Sequence, residues 1–257
     1  MKRDHRALKM TTAAALVLCG ILGMSGCTSG GGGDTETVFK KGEISQGDIV
    51  TFGSFEQDND TSNGAEPIEW IVLNVDEDNN RALLLSKKAL DTRQYHDSKG
   101  AVVRMTWSEC DLRMWLNGEF YSDAFDSKEK NEIEPMLLEN LNNPVYNTNG
   151  GEKTRDYVTL LSIEDVTDPN NGFSSEMVDD SARRCAATPY AVSRGMSTSS
   201  NYPTEDGEEG GVWWLRSVGG SPLYASVVIH TGDVSANGWE YGSDEVGVRP
   251  AVYVKLQ

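Results

Sequence analysis

The sequence contains little of what most catalytic and cofactor sites require. It has three histidines and four cysteines in 257 residues, too few and too scattered for a zinc motif or a disulfide scaffold. It contains no G-x-G-x-x-G or P-loop motif and no G-x-S-x-G turn. These absences argue against nucleotide cofactors, zinc and the α/β-hydrolase elbow, so we expect no cofactor and no metal.

Positive charge is also scarce. The chain has 23 Lys and Arg against 40 Asp and Glu, a formal net charge of -17. Because a surface this acidic repels phosphates, we expect no nucleic-acid partner. The apolar run at residues 13–24 is about a dozen residues long, whereas a helix needs about 20 residues to span a bilayer. The composition therefore excludes a multi-pass membrane protein.

The first residues carry the features of an export signal. Basic residues precede the apolar run, and Ser25, Gly26 and Cys27 follow it. This order resembles the lipobox of bacterial lipoproteins, which implies that residues 1–26 are a signal peptide and that Cys27 is lipidated. An ordinary signal peptide followed by a chance cysteine is the alternative. Residues 27–46 include a Gly/Ser-rich stretch that predicts a flexible tether.

These features predict the location of the protein. Removing residues 1–26 takes away four positive charges and one negative, which leaves a net charge of -20. Such a domain does not lie on anionic lipid by itself. We expect it at the cell membrane, held only by its lipid anchor and facing outside the cytoplasm.

The first half of the mature chain predicts strands followed by short helices. Apolar and β-branched runs at 48–55, 68–75 and 82–85, separated by turn residues, predict an antiparallel meander. Helical spacing begins near residue 107, with Ser108 as the predicted N-cap and Gly118 as the predicted end. Further short helices are predicted over residues 127–133 and 189–194.

The second half predicts mostly strands. These lie at 157–163, 212–217, 224–230 and 246–256, with an exposed loop over 197–211. Gly232-Asp233 and Asn237-Gly238 predict two tight turns. Pro250 predicts an edge or a bulge within the last strand.

Several motifs resemble one uncharacterised family. They are W-x-x-C-x-L-R-x-W-L-N at residues 107–117, W-W-L-R-S at 213–217 and V-G-V-R-P-A at 246–251. The set resembles a family of bacterial envelope proteins with a domain of unknown function. The closing strands also resemble the C-type-lectin-like fold of formylglycine-generating-enzyme relatives. The resemblance implies one α+β domain over residues 47–257, with mixed, mostly antiparallel sheets, a few short helices and long loops.

The segment between the closing motifs is the candidate ligand site. Adjacent tryptophans point to opposite faces of a strand, so we expect Trp213 in the core and Trp214 exposed, or the reverse. Aromatic rings interleaved with amides and carboxylates suit a sugar or a peptide. A hairpin whose aromatics only cover the sheet is the alternative. The candidate ligand-binding residues are Trp214, Tyr224, His230, Asn237, Trp239, Tyr241 and Asp244.

Other residues have structural interpretations. Arg216 and Arg249 lie in apolar strands, so we expect each to pair with a carboxylate of the chain; ligand binding is the alternative. Cys110 and Cys185 are either a disulfide or two buried thiols.

Calcium has one partial motif. Residues 58–69 partly match a calcium loop, but Gly64 is one place too late, so a hairpin connection is the better interpretation. Calcium is possible on this acidic chain but cannot be placed.

The sequence therefore predicts a lipid-anchored extracytoplasmic binding module for a carbohydrate or protein ligand at the cell surface. An envelope hydrolase that uses paired carboxylates is the first alternative. A structural envelope protein without a ligand is the second.

Overall fold

Two five-stranded sheets form the framework of the computed structural model, which describes residues 39–97, 99 and 104–257. The strands are β1 (Ile49–Phe55), β2 (Glu66–Asp76), β3 (Arg81–Ser86), β4 (Asp91–Thr92), β5 (Met136–Leu138), β6 (Thr154–Asp156), β7 (Val158–Thr159), β8 (Thr198–Pro203), β9 (Glu209–Gly211), β10 (Trp213–Val218), β11 (Tyr224–Val228), β12 (Val234–Glu240), β13 (Gly247–Val248) and β14 (Ala251–Lys255). The first sheet has the order β1-β2-β3-β14-β7 and the second β12-β11-β10-β13-β4.

The helices are short. They are α1 (Asp111–Trp115), α2 (Tyr121–Ala124), α3 (Ser127–Glu132), α4 (Ile163–Val166) and α5 (Pro189–Ser193), with a π-helical turn at Leu116–Phe120 and 3₁₀ turns at Pro169–Asn171 and Ser181–Arg183. Among the described strands of the two large sheets, β10 with β13 is the one parallel pair. The molecule is thus mixed α+β with mostly antiparallel sheets, as predicted.

The predicted meander is confirmed as β1, β2 and β3, which pair antiparallel in sequence order. On β2, Ile68, Trp70 and Val72 alternate with more exposed residues and are fully buried. This period of two places one face of the strand on the core. The indole N–H of Trp70 donates to Phe52 O at 2.6 Å, which ties β2 to β1 inside that core.

Part of the segment predicted as a tether packs on the domain. The leader and Cys27 lie outside the described residues, but residues 39–46 do not extend away from the domain. Phe39 is 4% exposed and its ring lies 5.3 Å from that of Phe52. The aromatic contact holds this segment on the first sheet.

The helix near residue 107 begins and continues differently from the prediction. Cys110, not Ser108, is the N-cap, and its sulfur accepts from the backbone N–H of Arg113. Gly118 does not end the helix, because the chain passes through the π-helical turn into α2. The predicted helices near 127 and 189 are confirmed as α3 and α5.

Three segments of the second half differ from prediction. Residues 197–211 form the β8–β9 hairpin instead of a loop. The segment 157–163 is a strand only at β7, because Ser162 caps α4 and so ends the extended stretch. Asn237 and Gly238 lie inside β12 instead of forming a turn, where the register with β11 shifts.

The closing motif joins the two sheets. The predicted strand over 246–256 is split, because β13 belongs to the second sheet and β14 to the first. Arg249 and Pro250 lie between them, and Pro250 cannot donate to a strand ladder. The G-V-R-P-A segment therefore carries the chain from one sheet to the other.

Buried apolar side chains form two clusters. One contains Trp70, Trp107 and Trp214, and the other contains Trp213, Leu85 and Phe173. The described residues belong to one compact unit. Among these residues, no helix has the length and apolar character needed to cross a membrane.

Candidate ligand-binding site

Both tryptophans of β10 are buried, so the expectation that one of them is exposed is wrong. Trp213 and Trp214 are each 0% exposed and belong to different core clusters. Their indole N–H groups donate to Arg183 O at 3.1 Å and Arg93 O at 2.9 Å. Every residue of β10 is buried, so both faces of the strand are covered. Trp214 is thus out of reach of a ligand on the surface.

The β11–β12 hairpin carries three of the other candidate residues. Tyr224 and Trp239 are half-buried, and Trp239 packs on a core cluster, as the alternative of sheet-covering aromatics predicts. Asn237 is exposed. Gly238 has φ +74°, and a Cβ there would lie 2.0 Å from Ala225 O. Only glycine fits this distortion of β12.

His230 has a different neighbour. Its Nε2 lies 3.3 Å from Ser197 Oγ, and burial lowers the pKa of the imidazole. The ring is therefore neutral at pH 7. Among the described residues, neither His230 nor Ser197 lines the larger cavities.

One cavity lies beside the predicted segment and contains one of its residues. Its volume is about 500 Å³ and it is open to solvent. It is lined by Thr92, Arg93, Gln94, Asp97, Asp111, Leu112, Trp115, Arg194 and Asp244. We call it the arginine cavity. It is built where β4, α1, the end of α5 and the chain after β12 meet.

A buried carboxylate orients the two arginines of this cavity. Asp91 has a fully buried side chain, with Oδ2 2.9 Å from Arg93 Nε and Oδ1 2.6 Å from Arg194 Nε. Both arginines are held through Nε, and no hydrogen bond of their Nη groups to another described residue is found. The carboxylate therefore fixes two guanidinium groups and leaves their outer donors available.

Trp115 supplies the aromatic side of the cavity. The guanidinium carbon of Arg93 lies 4.0 Å from the centroid of its ring. Phe55 and Phe120 pack against the same ring at 6.3 and 5.2 Å. The indole N–H has no hydrogen-bond partner among the described residues. Stacking on Trp115 further restricts the position of Arg93.

Acceptors face these donors. Asp111 Oδ2 accepts from the backbone N–H of Asp97 at 2.9 Å and lies 2.8 Å from His96 Nδ1, without hydrogen-bond alignment. The ring of Tyr241, which is 7% exposed, packs at 5.8 Å from that of His96. The backbone of Asp244 accepts from Thr92 Oγ1 at 2.8 Å. Asp244 thus lines the arginine cavity, and Tyr241 supports it from behind.

Sequence reasoning missed the two arginines. Asp91 and Arg93 are two residues apart on an extended segment, so their side chains share a face; this signal was available. Arg194 comes from a segment about a hundred residues later, and no local pattern connects it with Asp91.

The predicted pairing of the buried arginines is half right. Arg216 pairs with Asp165, which confirms the first prediction. The prediction for Arg249 is wrong within the described chain: its nitrogens contact Ser86 O at 2.9 Å and Arg183 O at 3.4 Å, with no carboxylate partner. Its guanidinium also lies 4.9 Å from the centroid of the Trp213 ring. Carbonyl groups and an aromatic ring replace the expected counter-ion.

Cys110 and Cys185 are both free and buried, in agreement with the second interpretation of two thiols. Burial raises the pKa of Cys110 to about 12 and also raises that of Cys185. Both groups are therefore protonated and unreactive at pH 7.

The acidic loop forms the hairpin connection that we expect, between β1 and β2. Glu69 does not face the loop, because it lies 3.4 Å from Lys87. Carboxylate oxygens of Glu56, Asp58 and Glu66 lie within 4.8 Å of one another. Glu66 also accepts from the backbone of Gln57. An exposed acidic group of this kind does not define a calcium site.

One family model matches residues 79–256, which include every residue that lines the arginine cavity. No curated protein and no solved structure matches the chain. The chain belongs to the family described as a domain of unknown function (DUF6273).

Proposed function

We propose that this protein is a lipid-anchored extracytoplasmic binding module that takes a carbohydrate ligand in the arginine cavity. The pattern of fixed donors and acceptors in that cavity supports the proposal most directly. Asp91 holds the guanidinium groups of Arg93 and Arg194 in place. Asp97, Asp111 and Asp244 supply carboxylate acceptors in the same cavity.

Sugars need this combination. Each hydroxyl group both donates and accepts a hydrogen bond, so a sugar site benefits from donors and acceptors placed side by side. Trp115 and Leu112 add an apolar side for the C–H groups of the ring. A volume of about 500 Å³ lies within the range of small-ligand sites.

The concave shape favours a small ligand over a protein surface. A stable protein interface buries about 800 Å² on each partner, usually around exposed aromatic or apolar anchors. Of the four aromatic candidates in the predicted segment, Trp214 and Tyr241 are buried, and Tyr224 and Trp239 are half-buried. We therefore propose the glycan, and binding to a protein remains the less favoured ligand class.

A glycan array probed with the mature chain tests the proposal. We expect binding to a subset of glycans, and at least tenfold weaker binding by Arg194→Met, because charge-assisted hydrogen bonds contribute roughly 1.5–3 kcal/mol. Arg155→Met is the matched control, since Arg155 is exposed on β6 and does not line the cavity. Equal binding by Arg194→Met and the control would discard the site. Absence of any glycan binding would discard the function and favour a purely structural protein.

A glycoside hydrolase is the second candidate, because three aspartates line the same cavity. Release of new reducing ends from bound glycans, lost in Asp111→Asn and Asp244→Asn, would support it. Intact glycans after prolonged incubation would leave the binding module as the better description.

The lipid anchor rests on the basic leader, the apolar run and Cys27. Detergent phase partitioning of the protein from membranes tests it. We expect the protein in the detergent phase, and Cys27→Ser in the aqueous phase. Cys19→Ser is the control, because Cys19 lies in the apolar run before the proposed cleavage site.

The C-type-lectin-like fold is also a proposal. It is supported by the pairing of the W-W-L-R-S strand with the closing motif, since Trp213 on β10 pairs with Gly247 on β13. An experimental structure that superposes on that fold would establish it. A different strand connectivity would contradict it.

A further inference from the structure

A second cavity lies on the first sheet and has a different character. Its volume is about 400 Å³, and it shares no lining residue with the arginine cavity in the part of the chain that the structure describes. Its apolar walls include Ile71, Leu73, Leu85 and Phe173. We call it the β2–β3 cavity. Apolar walls of this kind suit the hydrocarbon part of a ligand.

Arg249 lines this cavity and is 1% exposed. Its charge has no counter-ion within the described chain, as shown above. The other deeply buried arginines differ: Arg183 Nη2 lies 3.5 Å from Asp180 Oδ2, and Arg216 pairs with Asp165. Carbonyl oxygens and the Trp213 ring contact the guanidinium of Arg249, and burial lowers its pKa. A buried charge without a counter-ion is costly, so an anion beside it stabilises the fold.

The cations at the rim are already neutralised. Lys87 Nζ lies 3.4 Å from Glu69 and 3.2 Å from Asp206. Lys88 Nζ lies 2.6 Å from Glu208. A ligand anion therefore gains most at Arg249, where the protein supplies no carboxylate.

We propose that the β2–β3 cavity binds a small amphiphilic carboxylate, whose apolar body contacts Ile71, Leu73, Leu85 and Phe173 and whose carboxylate approaches the guanidinium of Arg249. Nη2 of Arg249 donates only to Lys87 O, at 3.5 Å, so it is available to donate to a closer acceptor. One carboxylate matches one guanidinium in charge and in planar geometry. This ligand is distinct from the glycan proposed for the arginine cavity.

Two probes with the same chain length and different head groups, a charged carboxylate and a neutral hydroxyl, test the proposal. Octanoate and octan-1-ol are titrated into the mature chain by calorimetry at neutral pH. We expect saturable binding of octanoate and at least tenfold weaker binding of octanol. Equal affinities, or no octanoate binding at millimolar concentration, would overturn the proposal.

A substitution at the rim of the cavity tests whether octanoate binds inside it. Ala182 lines the cavity but is exposed, so Ala182→Trp closes the cavity without disturbing the core. We expect it to abolish octanoate binding, while Ala182→Ser retains it. Unchanged binding by Ala182→Trp contradicts the assigned place. If Arg249→Met folds, we expect it to lose the preference for octanoate over octanol. If it does not fold, the comparison of octanoate binding by Ala182→Trp and Ala182→Ser tests the proposal.

Discussion

At the scale of single residues, Asp91 determines the geometry of the arginine cavity. Its carboxylate contacts Arg93 and Arg194 and also accepts from the backbone N–H of Thr92 at 2.8 Å. The side chain is fully buried, whereas those of the arginines are 32% and 42% exposed. Asp91 therefore couples stability to the orientation of the proposed ligand donors.

We predict that Asp91→Asn lowers the free energy of unfolding by about 2 kcal/mol. This is less than the cost of breaking a fully buried ion pair, because both arginines are partly solvated. Urea unfolding at neutral pH measures this. Asp97→Asn is the control on the same segment; Asp97 is exposed, so we expect a change within about 0.5 kcal/mol. Equal effects of the two substitutions on the free energy of unfolding would contradict the role of Asp91 in holding the two arginines.

Asp165 couples stability to pH. Burial alone would raise its pKa, but Arg216 and hydrogen bonds from Ser162 outweigh burial and lower the pKa below 3.8. A depressed pKa in the folded state contributes stability above the unfolded pKa, and this contribution is lost as the pH falls through the folded pKa.

We predict that Asp165→Asn flattens the loss of stability between about pH 5 and pH 2. Urea unfolding across this range checks it, with Glu164→Gln on the same helix as control. If both variants lose stability on acidification as the parent does, the ion pair does not contribute.

The burial of the two cysteines predicts how they react with thiol reagents. Because the pKa of Cys110 is raised to about 12 and both thiols are buried, we expect neither to react with a thiol reagent in the native protein. In urea under non-reducing conditions, both should react. Labelling followed by mass spectrometry measures this, and a disulfide between Cys110 and Cys185 would contradict it.

At the scale of elements, two glycines in regular structure have opposite roles. Gly118 lies in the π-helical turn, has an ordinary φ, and a Cβ there meets nothing within 4 Å. Gly238 in β12 has a positive φ and no space for a Cβ. The first glycine costs conformational entropy without a steric need, and the second is required.

We therefore predict that Gly118→Ala raises the free energy of unfolding by about 0.4–1 kcal/mol, and that Gly238→Ala lowers it by more than that amount. Thermal unfolding compares the two variants with the parent. A stabilising Gly238→Ala would show that the distortion of β12 is not fixed by glycine.

Strands with regular alternation were predictable from the sequence. On β2, the apolar residues Ile68, Trp70 and Val72 occupy every second position, and this period of two indicates that one face of the strand is buried. The π-helical turn was not predictable, because the apolar spacing through Gly118 matches an ordinary helix. The β8–β9 hairpin was missed because β8 is polar and largely exposed and two of the three residues of β9 are glycines, so hydrophobic patterning carries no signal there.

At the scale of the whole molecule, the closing motif joins two sheets and connects the regions that form the two cavities. β13 pairs with β4, which carries Asp91 of the arginine cavity. Arg249, immediately after β13, lines the β2–β3 cavity. These relations connect residues about 160 positions apart, and pairing over such separations depends on tertiary packing that no local pattern encodes. The strand and helix patterns and the family resemblance predicted the α+β class, but no pattern brought together the residues of the arginine cavity.

The most direct test of the proposed function observes the two arginines themselves. The mature chain is labelled with ¹⁵N-arginine and titrated with the glycan that binds most strongly on the array. The account predicts that the Nε–H signals of Arg93 and Arg194, assigned by substitution to Lys, shift saturably, while those of the buried Arg183 and Arg249 remain in place. If the glycan binds and these two signals do not move, the arginine cavity is not the ligand site.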